Sequence, residues 1–177
     1  MKLVILDRDG TINYDSDQYV KSPAEWRPIA GSLEAIARLS RAGWRVVVAT
    51  NQSGIARGLF DVATLHEIHA ALHRAVVQAG GRIDAIVYCP HGPADGCPCR
   101  KPKPAMLIEI AARFNANLAA VPVVGDALRD LEAAAAAGAR PVLVLTGKGA
   151  RTHAAGGLPL GTEVYPDLAA FARHLAP

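Results

Sequence analysis

The sequence predicts an α/β fold in which helices cover both faces of a parallel β-sheet. Short runs of almost continuously apolar residues recur along the 177-residue chain, and longer segments with helical periodicity separate them. The short runs do not alternate between apolar and polar residues, which indicates strands that are buried on both faces. Strands that alternate with helices are typical of βαβ units. We therefore expect a single domain over residues 1–177, built on a Rossmann-like, doubly wound sheet.

The N-terminal half of the chain is predicted to contain three strands and two helices. Leu3–Leu6 is aliphatic throughout and ends at an aspartate, as expected for a first buried strand. Ser32–Ala42 carries apolar residues on one helical face and is followed by a glycine, which is a common C-cap. Val46–Ala49 is the second predicted strand. Asp61 is the predicted N-cap of the next helix, and Ile83–Tyr88 is the third strand.

The C-terminal half is predicted to contain two strands and three helices. Pro104–Asn115 and Leu128–Ala137 have helical periodicity, and the second of them is closed by a glycine. Val121–Val124 and Val142–Leu145 are short apolar runs of the kind that form central strands. Leu168–Leu175 is the last predicted helix. Strand and helix thus alternate to the end of the chain.

The composition excludes several classes of partner. The formal net charge of +3 at pH 7 is too small to indicate binding to nucleic acid or to a membrane surface. No apolar stretch approaches the roughly 20 residues that a membrane span needs, and no apolar signal core follows the N-terminus. We expect a cytoplasmic protein that binds neither nucleic acid nor membranes.

Polar residues follow the predicted strands at the edge where ligands bind in open α/β sheets. Asp7 and Asp9 follow the first strand, Thr50–Ser53 follow the second, Asp126 follows the fourth, and Lys101 precedes the helix that leads to it. An isolated Asp-x-Asp pair is often only a turn or a helix cap. Carboxylates that converge select Mg²⁺ and can attack phosphorus or transfer protons, while a hydroxyl and a lysine can hold phosphoryl oxygens. The joint pattern therefore predicts phosphoryl chemistry.

All three cysteines lie in one loop, residues 89–103, together with a histidine. Cys89, His91, Cys97 and Cys99 supply three thiolates and one imidazole, which satisfy a tetrahedral Zn²⁺ and leave no open position. The alternatives are a cluster of free thiols or a redox pair of the last two cysteines. A zinc ion here would be structural, and it would fix the two cations that directly follow the last ligand.

The segments "DRDGT", "TNQSG", the lysine of "CRKP" and "GDALRD" resemble the four signature motifs of the haloacid-dehalogenase-like phosphatase superfamily. The resemblance implies that Asp7 is the nucleophile and Asp9 the general acid and base. It implies that Thr50 and Lys101 bind the phosphoryl group. Asp126 and Asp7 would hold Mg²⁺ with their carboxylates, and Asp9 would do so through its backbone carbonyl.

The cysteine loop before Arg-Lys-Pro resembles the loop found in a small branch of that superfamily. The members of this branch nearly lack a cap domain and include heptose-bisphosphate and histidinol-phosphate phosphatases. "TNQSGIARG" and "NYDSDQYV" are more similar to the heptose enzymes. In some relatives a basic residue follows the fourth-motif aspartate, where this chain has Ala127. The resemblance implies that Arg100 binds the far end of a bisphosphate substrate. The implied substrate contacts are Asp15, Tyr19, Thr50, Asn51, Gln52, Ser53, Arg100 and Lys101.

The resemblance implies a monomeric, Mg²⁺-dependent phosphatase with a structural Zn²⁺ and a small sugar bisphosphate as substrate. The expected reaction removes the 7-phosphate of D-glycero-D-manno-heptose 1,7-bisphosphate through an aspartyl phosphate. This reaction would serve the synthesis of nucleotide-activated heptose and of lipopolysaccharide core precursors. Two alternatives are a histidinol-phosphate phosphatase of histidine biosynthesis and a non-catalytic module that binds phosphorylated ligands.

Three further features are not assigned to the site. His66, His69 and His73 have helical spacing but no accompanying carboxylates or cysteines, which favours a solvated helix edge. Lys103 is near Lys101 and is an alternative for its role, although the motif favours Lys101. The Gly-Lys-Gly at residues 147–149 lacks the spacing of a phosphate-binding loop.

Overall fold

The computed structural model describes residues 1–177 and contains one six-stranded sheet in which every neighbouring pair of strands is parallel. The strand order is β3-β2-β1-β4-β5-β6. The strands are β1 (Leu3–Leu6), β2 (Arg45–Asn51), β3 (Ala85–Cys89), β4 (Pro122–Gly125), β5 (Arg140–Val144) and β6 (Glu163–Tyr165). The predicted doubly wound sheet is confirmed.

Six α-helices connect or follow these strands. They are α1 (Ser32–Arg41), α2 (Val62–Gln78), α3 (Ala105–Arg113), α4 (Leu128–Ala136), α5 (Gly149–Ala155) and α6 (Leu168–Leu175). Asp61 caps α2 as predicted, because its carboxylate accepts a hydrogen bond of 2.8 Å from the backbone N–H of Thr64. None of the helices combines the length and the apolar character that crossing a bilayer would require.

The central strands are buried on both faces, which explains their continuous apolar sequence. In β1, Val4 and Leu6 pack into a core cluster with α1, α2 and α6, while Leu3 and Ile5 face a second cluster with α3 and α4. Because successive side chains of a strand point to opposite faces, each residue of β1 contributes to one of the two cores. Burying apolar side chains on both sides in this way fixes the sheet between two helical layers.

The structure differs from the predictions at the ends and at one edge of the sheet. The helix α5 and the strand β6 were not predicted, because α5 is short and polar and the strand contains only Glu163–Tyr165 at the edge of the sheet. The strand β3 begins after Asp84 rather than at Ile83. The Asp84 carboxylate accepts a hydrogen bond of 2.9 Å from the backbone N–H of Val46 and pairs with Arg45, so a polar side chain occupies the start of the predicted run.

The sheet topology determines where a ligand can bind. The chain winds from β1 to β2 and β3 in one direction and from β4 to β6 in the other, so the strand order reverses between β1 and β4. In open α/β sheets the crevice beyond the carboxyl ends of the strands at such a point is the usual ligand site. Asp7 directly follows β1 and Asp126 directly follows β4. No separate domain is inserted before α1 or α2, which agrees with the expected architecture without a cap domain.

Candidate active site

The loop after β1 is folded tightly against the loop after β4. The backbone N–H of Asp7 donates a 2.8 Å hydrogen bond to the carbonyl of Val124, which continues the sheet pairing by one residue. Gly10 has φ +82°, and a Cβ atom at this position would lie 2.0 Å from the Asp126 carboxylate. A Cβ atom on Gly147, with φ +55°, would lie 2.3 Å from the same carboxylate. Two glycines thus keep open the space around Asp126.

Three carboxylates from two segments meet beyond β1 and β4. One oxygen each from Asp7, Asp126 and Asp130 lies within 4.8 Å of the others, and all three side chains are buried. Burial raises the pKa of Asp7 to about 6, with further contributions from Asp130 and Asp9 against the opposing charge of Lys101. Burial, with the charges of Asp7 and Asp130, raises the pKa of Asp126 to about 7. Clustered buried carboxylates of this kind need a cation to remain ionised.

The predicted magnesium ligands Asp7 and Asp126 are brought together by the fold. Asp126 Oδ2 accepts a 2.7 Å hydrogen bond from the backbone N–H of Lys148, whereas Oδ1 is buried without any partner in the chain. A buried carboxylate oxygen without a donor is costly. Hard oxygen atoms at this spacing are the ligands that Mg²⁺ prefers. The residues therefore fit a divalent cation between the first and the fourth strand.

Lys101 provides the positive charge inside the same cluster. Its Nζ lies 2.9 Å from Asp7 Oδ1, 2.7 Å from Asp130 Oδ1 and 2.8 Å from the carbonyl of Ala49. Burial acts to lower the pKa of Lys101, but the carboxylates of Asp130 and Asp7 outweigh it and raise this pKa above its ordinary value. Asp130 also accepts a 3.1 Å hydrogen bond from the backbone N–H of Ala127 and so supports the start of α4. Lys101 is thus held as a cation next to Asp7.

The alternative lysine does not reach this cluster. Lys103 Nζ donates to the carbonyls of Gly96 and Cys97 at 3.2 and 2.7 Å, within the cysteine loop. Its side chain therefore ties the loop together, and Lys101 is the lysine that contacts the carboxylates.

The Asp9 carboxylate accepts hydrogen bonds from three side chains. The donors are Arg8, Asn13 Nδ2 at 2.9 Å and Gln52 Nε2 at 2.9 Å. Burial acts to raise the pKa of Asp9, but the charge of Arg8 and these hydrogen bonds lower it below the ordinary value. Gln52 Nε2 also donates to Thr50 Oγ1 at 2.9 Å, which links the residues after β2 to the residues after β1. Asp9 is therefore ionised and fixed in orientation.

A cavity of about 190 Å³ opens above Asp7 and Asp9. Most of the predicted substrate contacts line it, namely Asp15, Tyr19, Thr50, Asn51, Gln52, Ser53 and Arg100. Lys101 lies beneath, against Asp7. Tyr19 adopts a positive φ of 66°, and the Arg57 guanidinium lies 5.8 Å from the centre of its ring. Sequence patterns reveal neither feature.

Two cations that were not predicted to belong to the site also line the cavity. Arg129 is largely buried, and its Nε atom has no partner in the chain. Lys148 Nζ forms a 2.8 Å ion pair with Asp15 Oδ2. The sequence did not assign Lys148 of the Gly-Lys-Gly at residues 147–149 to the site, but the turn after β5 brings it over Asp126. Arg129 directly precedes Asp130 of the fourth motif, and this position could have indicated from the sequence that Arg129 lies near the site.

The four predicted zinc ligands converge at the end of β3. Cys89 Sγ lies 3.1 Å from Cys99 Sγ and 3.6 Å from Cys97 Sγ, and His91 Nδ1 lies 3.4 Å from Cys99 Sγ. Tetrahedral zinc with Zn–S bonds of about 2.3 Å separates its sulfur atoms by about 3.8 Å, slightly more than these distances. Burial raises the pKa of the Cys89 thiol to about 12, so a thiolate at this position needs a cation beside it. Three sulfur atoms and one imidazole in one cluster fit structural zinc better than an isolated redox pair.

The cysteine loop positions the two cations that follow it. Arg100 Nη1 donates to the carbonyl of His91 at 3.3 Å. The side chain of Asn51 binds both backbone groups of Lys101, accepting from its N–H at 3.1 Å and donating to its carbonyl at 3.0 Å. The loop is thus attached to the end of β2 at the residue whose side chain enters the carboxylate cluster.

The crevice where the strand order reverses therefore brings four separate motifs around one acidic centre, as in haloacid-dehalogenase-like hydrolases. A family described as HAD-hydrolase-like matches residues 98–171. The D-glycero-β-D-manno-heptose-1,7-bisphosphate 7-phosphatase of Bordetella bronchiseptica is 63% identical to this chain, over 99% of the chain and 98% of that relative. The corresponding Pseudomonas putida protein is 60% identical over 99% of each chain.

Solved structures agree with these relatives. The crystal structure of D,D-heptose 1,7-bisphosphate phosphatase from B. bronchiseptica, complexed with magnesium and phosphate, matches with a TM-score of 0.98 at 63% identity, over 99% of this chain and 98% of that chain. The enzyme from Burkholderia thailandensis matches with a TM-score of 0.80 at 56% identity, over 99% of this chain and 98% of that one. The chain belongs to the family of D-glycero-β-D-manno-heptose-1,7-bisphosphate 7-phosphatases. It is accordingly a phosphoric monoester hydrolase.

Magnesium is expected to stabilise the folded chain, because a divalent cation between Asp7 and Asp126 removes their mutual repulsion. At one hundred times its Kd, a ligand that binds only the folded state adds about 2.7 kcal/mol to the free energy of unfolding. For a chain of this size, that corresponds to a rise in melting temperature of roughly 5–10 °C. Thermal denaturation with and without added MgCl₂ measures this rise, which Asp126→Asn should largely lose.

The control for this measurement is Glu109→Gln, since Glu109 is about half exposed on α3 and distant in sequence from the cluster. This variant should keep the full magnesium-dependent rise. An equal rise in Asp126→Asn and in the wild type would place the cation elsewhere.

Loss of zinc is expected to loosen the cysteine loop and to misplace Lys101. His91→Ala should reduce the zinc content from about one ion per chain towards none, because three ligands no longer close a tetrahedral site. It should also lower the melting temperature and the phosphatase activity. His153→Ala on α5 is the matched control, since His153 is exposed. Metal analysis of the purified variants measures the zinc content per chain. Zinc retained at full occupancy in His91→Ala would refute the assignment of His91 as a zinc ligand.

Proposed function

We propose that this protein removes the 7-phosphate of D-glycero-β-D-manno-heptose 1,7-bisphosphate in a Mg²⁺-dependent reaction. The observation that carries the proposal is the complete carboxylate and lysine cluster at the end of β1, found in a chain 63% identical to a B. bronchiseptica phosphatase of that specificity. The likeness to the crystal structure of that enzyme with magnesium and phosphate supports the same cofactor here. We propose Asp7, Asp126 and the backbone carbonyl of Asp9 as the magnesium ligands.

Asp7 is the nucleophile in this proposal. Only Oδ1 of its carboxylate accepts a hydrogen bond from the chain, from Lys101, so Oδ2 is left for reaction. Attack of this oxygen on phosphorus forms an aspartyl phosphate and breaks the bond between phosphorus and the sugar oxygen. Magnesium, when bound, neutralises charge on Asp7 and on the phosphoryl oxygens. Lys101 and the Thr50 hydroxyl lie next to Asp7 and Asp9, where they can hold the remaining phosphoryl oxygens.

Asp9 transfers the protons in both steps. Its carboxyl group gives a proton to the departing sugar oxygen, and its carboxylate then takes a proton from the water that hydrolyses the aspartyl phosphate. The arriving phosphate dianion repels the Asp9 carboxylate and raises its pKa, which offsets the donors that otherwise keep it ionised. The water oxygen ends in the released inorganic phosphate, and Asp7 is regenerated.

The cations around the cavity account for a substrate with two phosphates. Arg100 approaches from the cysteine loop, while Arg129 and Lys148 approach from the segments after β4 and β5. A guanidinium binds phosphate with two parallel hydrogen bonds. We propose that Arg100 and Arg129 bind the 1-phosphate, and that Arg129 supplies the charge that other relatives carry at the position of Ala127. Asp15, Tyr19 and the residues 50–53 then contact the sugar.

The proposal extends to the organisation of the protein. Residues 1–177 act as one domain and as a monomer in the cytoplasm, with a small sugar bisphosphate rather than nucleic acid or a membrane as the partner. The match to bacterial relatives over nearly their whole length supports the single-domain organisation. The reaction would feed the synthesis of nucleotide-activated heptose and of lipopolysaccharide core precursors.

Release of inorganic phosphate from a substrate panel tests the proposed reaction. We expect fastest turnover of heptose 1,7-bisphosphate, slow turnover of histidinol phosphate, and loss of both when Mg²⁺ is omitted. Asp7→Asn should reduce turnover to background, because an amide does not attack phosphorus. Asp61→Asn is the matched control, since Asn also caps a helix and Asp61 is distant from the cavity. Faster turnover of histidinol phosphate would overturn the substrate, and no release from any phosphoester would favour a binding module.

Arg129→Met is expected to weaken binding of the bisphosphate selectively. A hydrogen bond to a charged group contributes about 1.5–3 kcal/mol, so KM for heptose 1,7-bisphosphate should rise by roughly tenfold to one hundredfold. KM for heptose 7-phosphate should change much less, because it lacks the 1-phosphate. Arg113→Met on the exposed face of α3 is the control. Equal losses for the two substrates would show that Arg129 does not bind the 1-phosphate.

A further inference from the structure

Arg8 is a fully buried arginine between the two aspartates of the first motif. Its Nε lies 3.1 Å from Asp9 Oδ1, and its Nη2 lies 2.9 and 3.0 Å from Asp9 Oδ1 and Oδ2. The guanidinium thus covers one whole edge of the Asp9 carboxylate. Because burying this charge is costly without full hydrogen bonding, the remaining donors of Arg8 also need partners.

His69 of α2 provides that partner. Its Nε2 lies 3.3 Å from Arg8 Nη1, and only 7% of His69 is exposed. Burial, followed by the charge of Arg8, lowers the pKa of His69 to about 3, so the ring is neutral. The neutral ring accepts from Nη1 and carries its proton on Nδ1. The predicted solvated edge is therefore wrong for His69, although His66 is exposed.

The contact fixes the plane of the Arg8 guanidinium. Tyr88 at the end of β3 packs edge-on against His69 with ring centres 6.1 Å apart, so the imidazole is held by the sheet as well as by its own helix. Without an acceptor at Nη1, a buried donor would be left unpaired, and rotation of the guanidinium would relieve that cost. Such rotation would release the edge of the Asp9 carboxylate that Arg8 binds, and leave Asn13 and Gln52 to hold it.

We propose that His69 is a positioning residue for the hydrolysis, acting through Arg8 on the orientation of the Asp9 carboxyl group. The inference rests on the proposed function, because it concerns the group that transfers protons there. His69 lies on the helix that crosses from β2 to β3, outside the four motifs. The fold thus uses a core position of α2 to set the geometry of proton transfer beside Asp7.

The test compares His69→Phe, His69→Gln and the control His66→Phe on two substrates with different leaving groups. A sugar oxygen needs a proton to depart, whereas p-nitrophenolate departs without one. The value of kcat/KM covers the steps up to phosphoryl transfer to Asp7 and excludes the later hydrolysis, so misorientation of Asp9 should lower it only for the sugar phosphate. General acid catalysis is worth 10²–10⁴-fold, and we expect His69→Phe to lower kcat/KM for the sugar phosphate by about tenfold or more, through kcat rather than KM.

For p-nitrophenyl phosphate, kcat/KM of His69→Phe should stay within about threefold of the wild type, since no proton is needed in that step. His69→Gln should recover most of the lost activity, because its amide oxygen can accept from Arg8 Nη1. His66→Phe should behave as the wild type on both substrates. Melting temperatures and circular dichroism spectra establish the folded fraction of each variant.

The proposal is overturned if His69→Phe keeps the wild-type kcat/KM on the sugar phosphate. Equal losses of kcat/KM on both substrates, or a His69→Gln variant as slow as His69→Phe, would overturn it as well and indicate a packing role alone. Failure of the proposed function is distinguishable. If the wild type does not hydrolyse heptose 1,7-bisphosphate, the same variants are compared on another alkyl phosphate that it hydrolyses, and if it hydrolyses none, both proposals fall.

Discussion

Repulsion among buried carboxylates is the constraint on which this site depends. Asp7 comes from one segment and Asp126 and Asp130 from another, and all three are almost completely enclosed. Only Lys101 forms an ion pair inside the cluster. Such an arrangement costs free energy unless more positive charge joins it. The same burial has a functional benefit, because charged groups that are shielded from water interact more strongly with a phosphate group. Affinity for a divalent cation is the direct consequence.

The backbone of the protein is arranged to keep that cluster compact. The reversal of strand order places the ends of β1 and β4 side by side, and the parallel sheet delivers the residues after β2 to the same edge. Gly10 and Gly147 let two turns close over Asp126, where any side chain would collide with its oxygen atoms. Asp130 serves both the helix start and Lys101. Fold and chemistry therefore share the same few residues.

Much of this arrangement could be predicted from the sequence, for a physical reason. Central strands are buried on both faces, so they are visible as apolar runs, and the polar residues that follow them must share one edge of the sheet. The edge strand β6 and the short helix α5 lack such a pattern. Arg129, Lys148 and His69 were missed because their surroundings are created by segments distant in sequence. A histidine at helical spacing looks the same whether it faces solvent or a buried guanidinium.

The two hydrogen bonds between the Asn51 side chain and the backbone of Lys101 determine how much of the cysteine loop is free to vary. An amide side chain that pairs with both polar groups of a distant residue imitates a neighbouring strand, and here it does so at the last residue of β2. The segment between the predicted zinc ligands His91 and Cys97 then has both of its ends held in place. A change in the length or composition of that segment is therefore expected to leave the ammonium group of Lys101 beside Asp7.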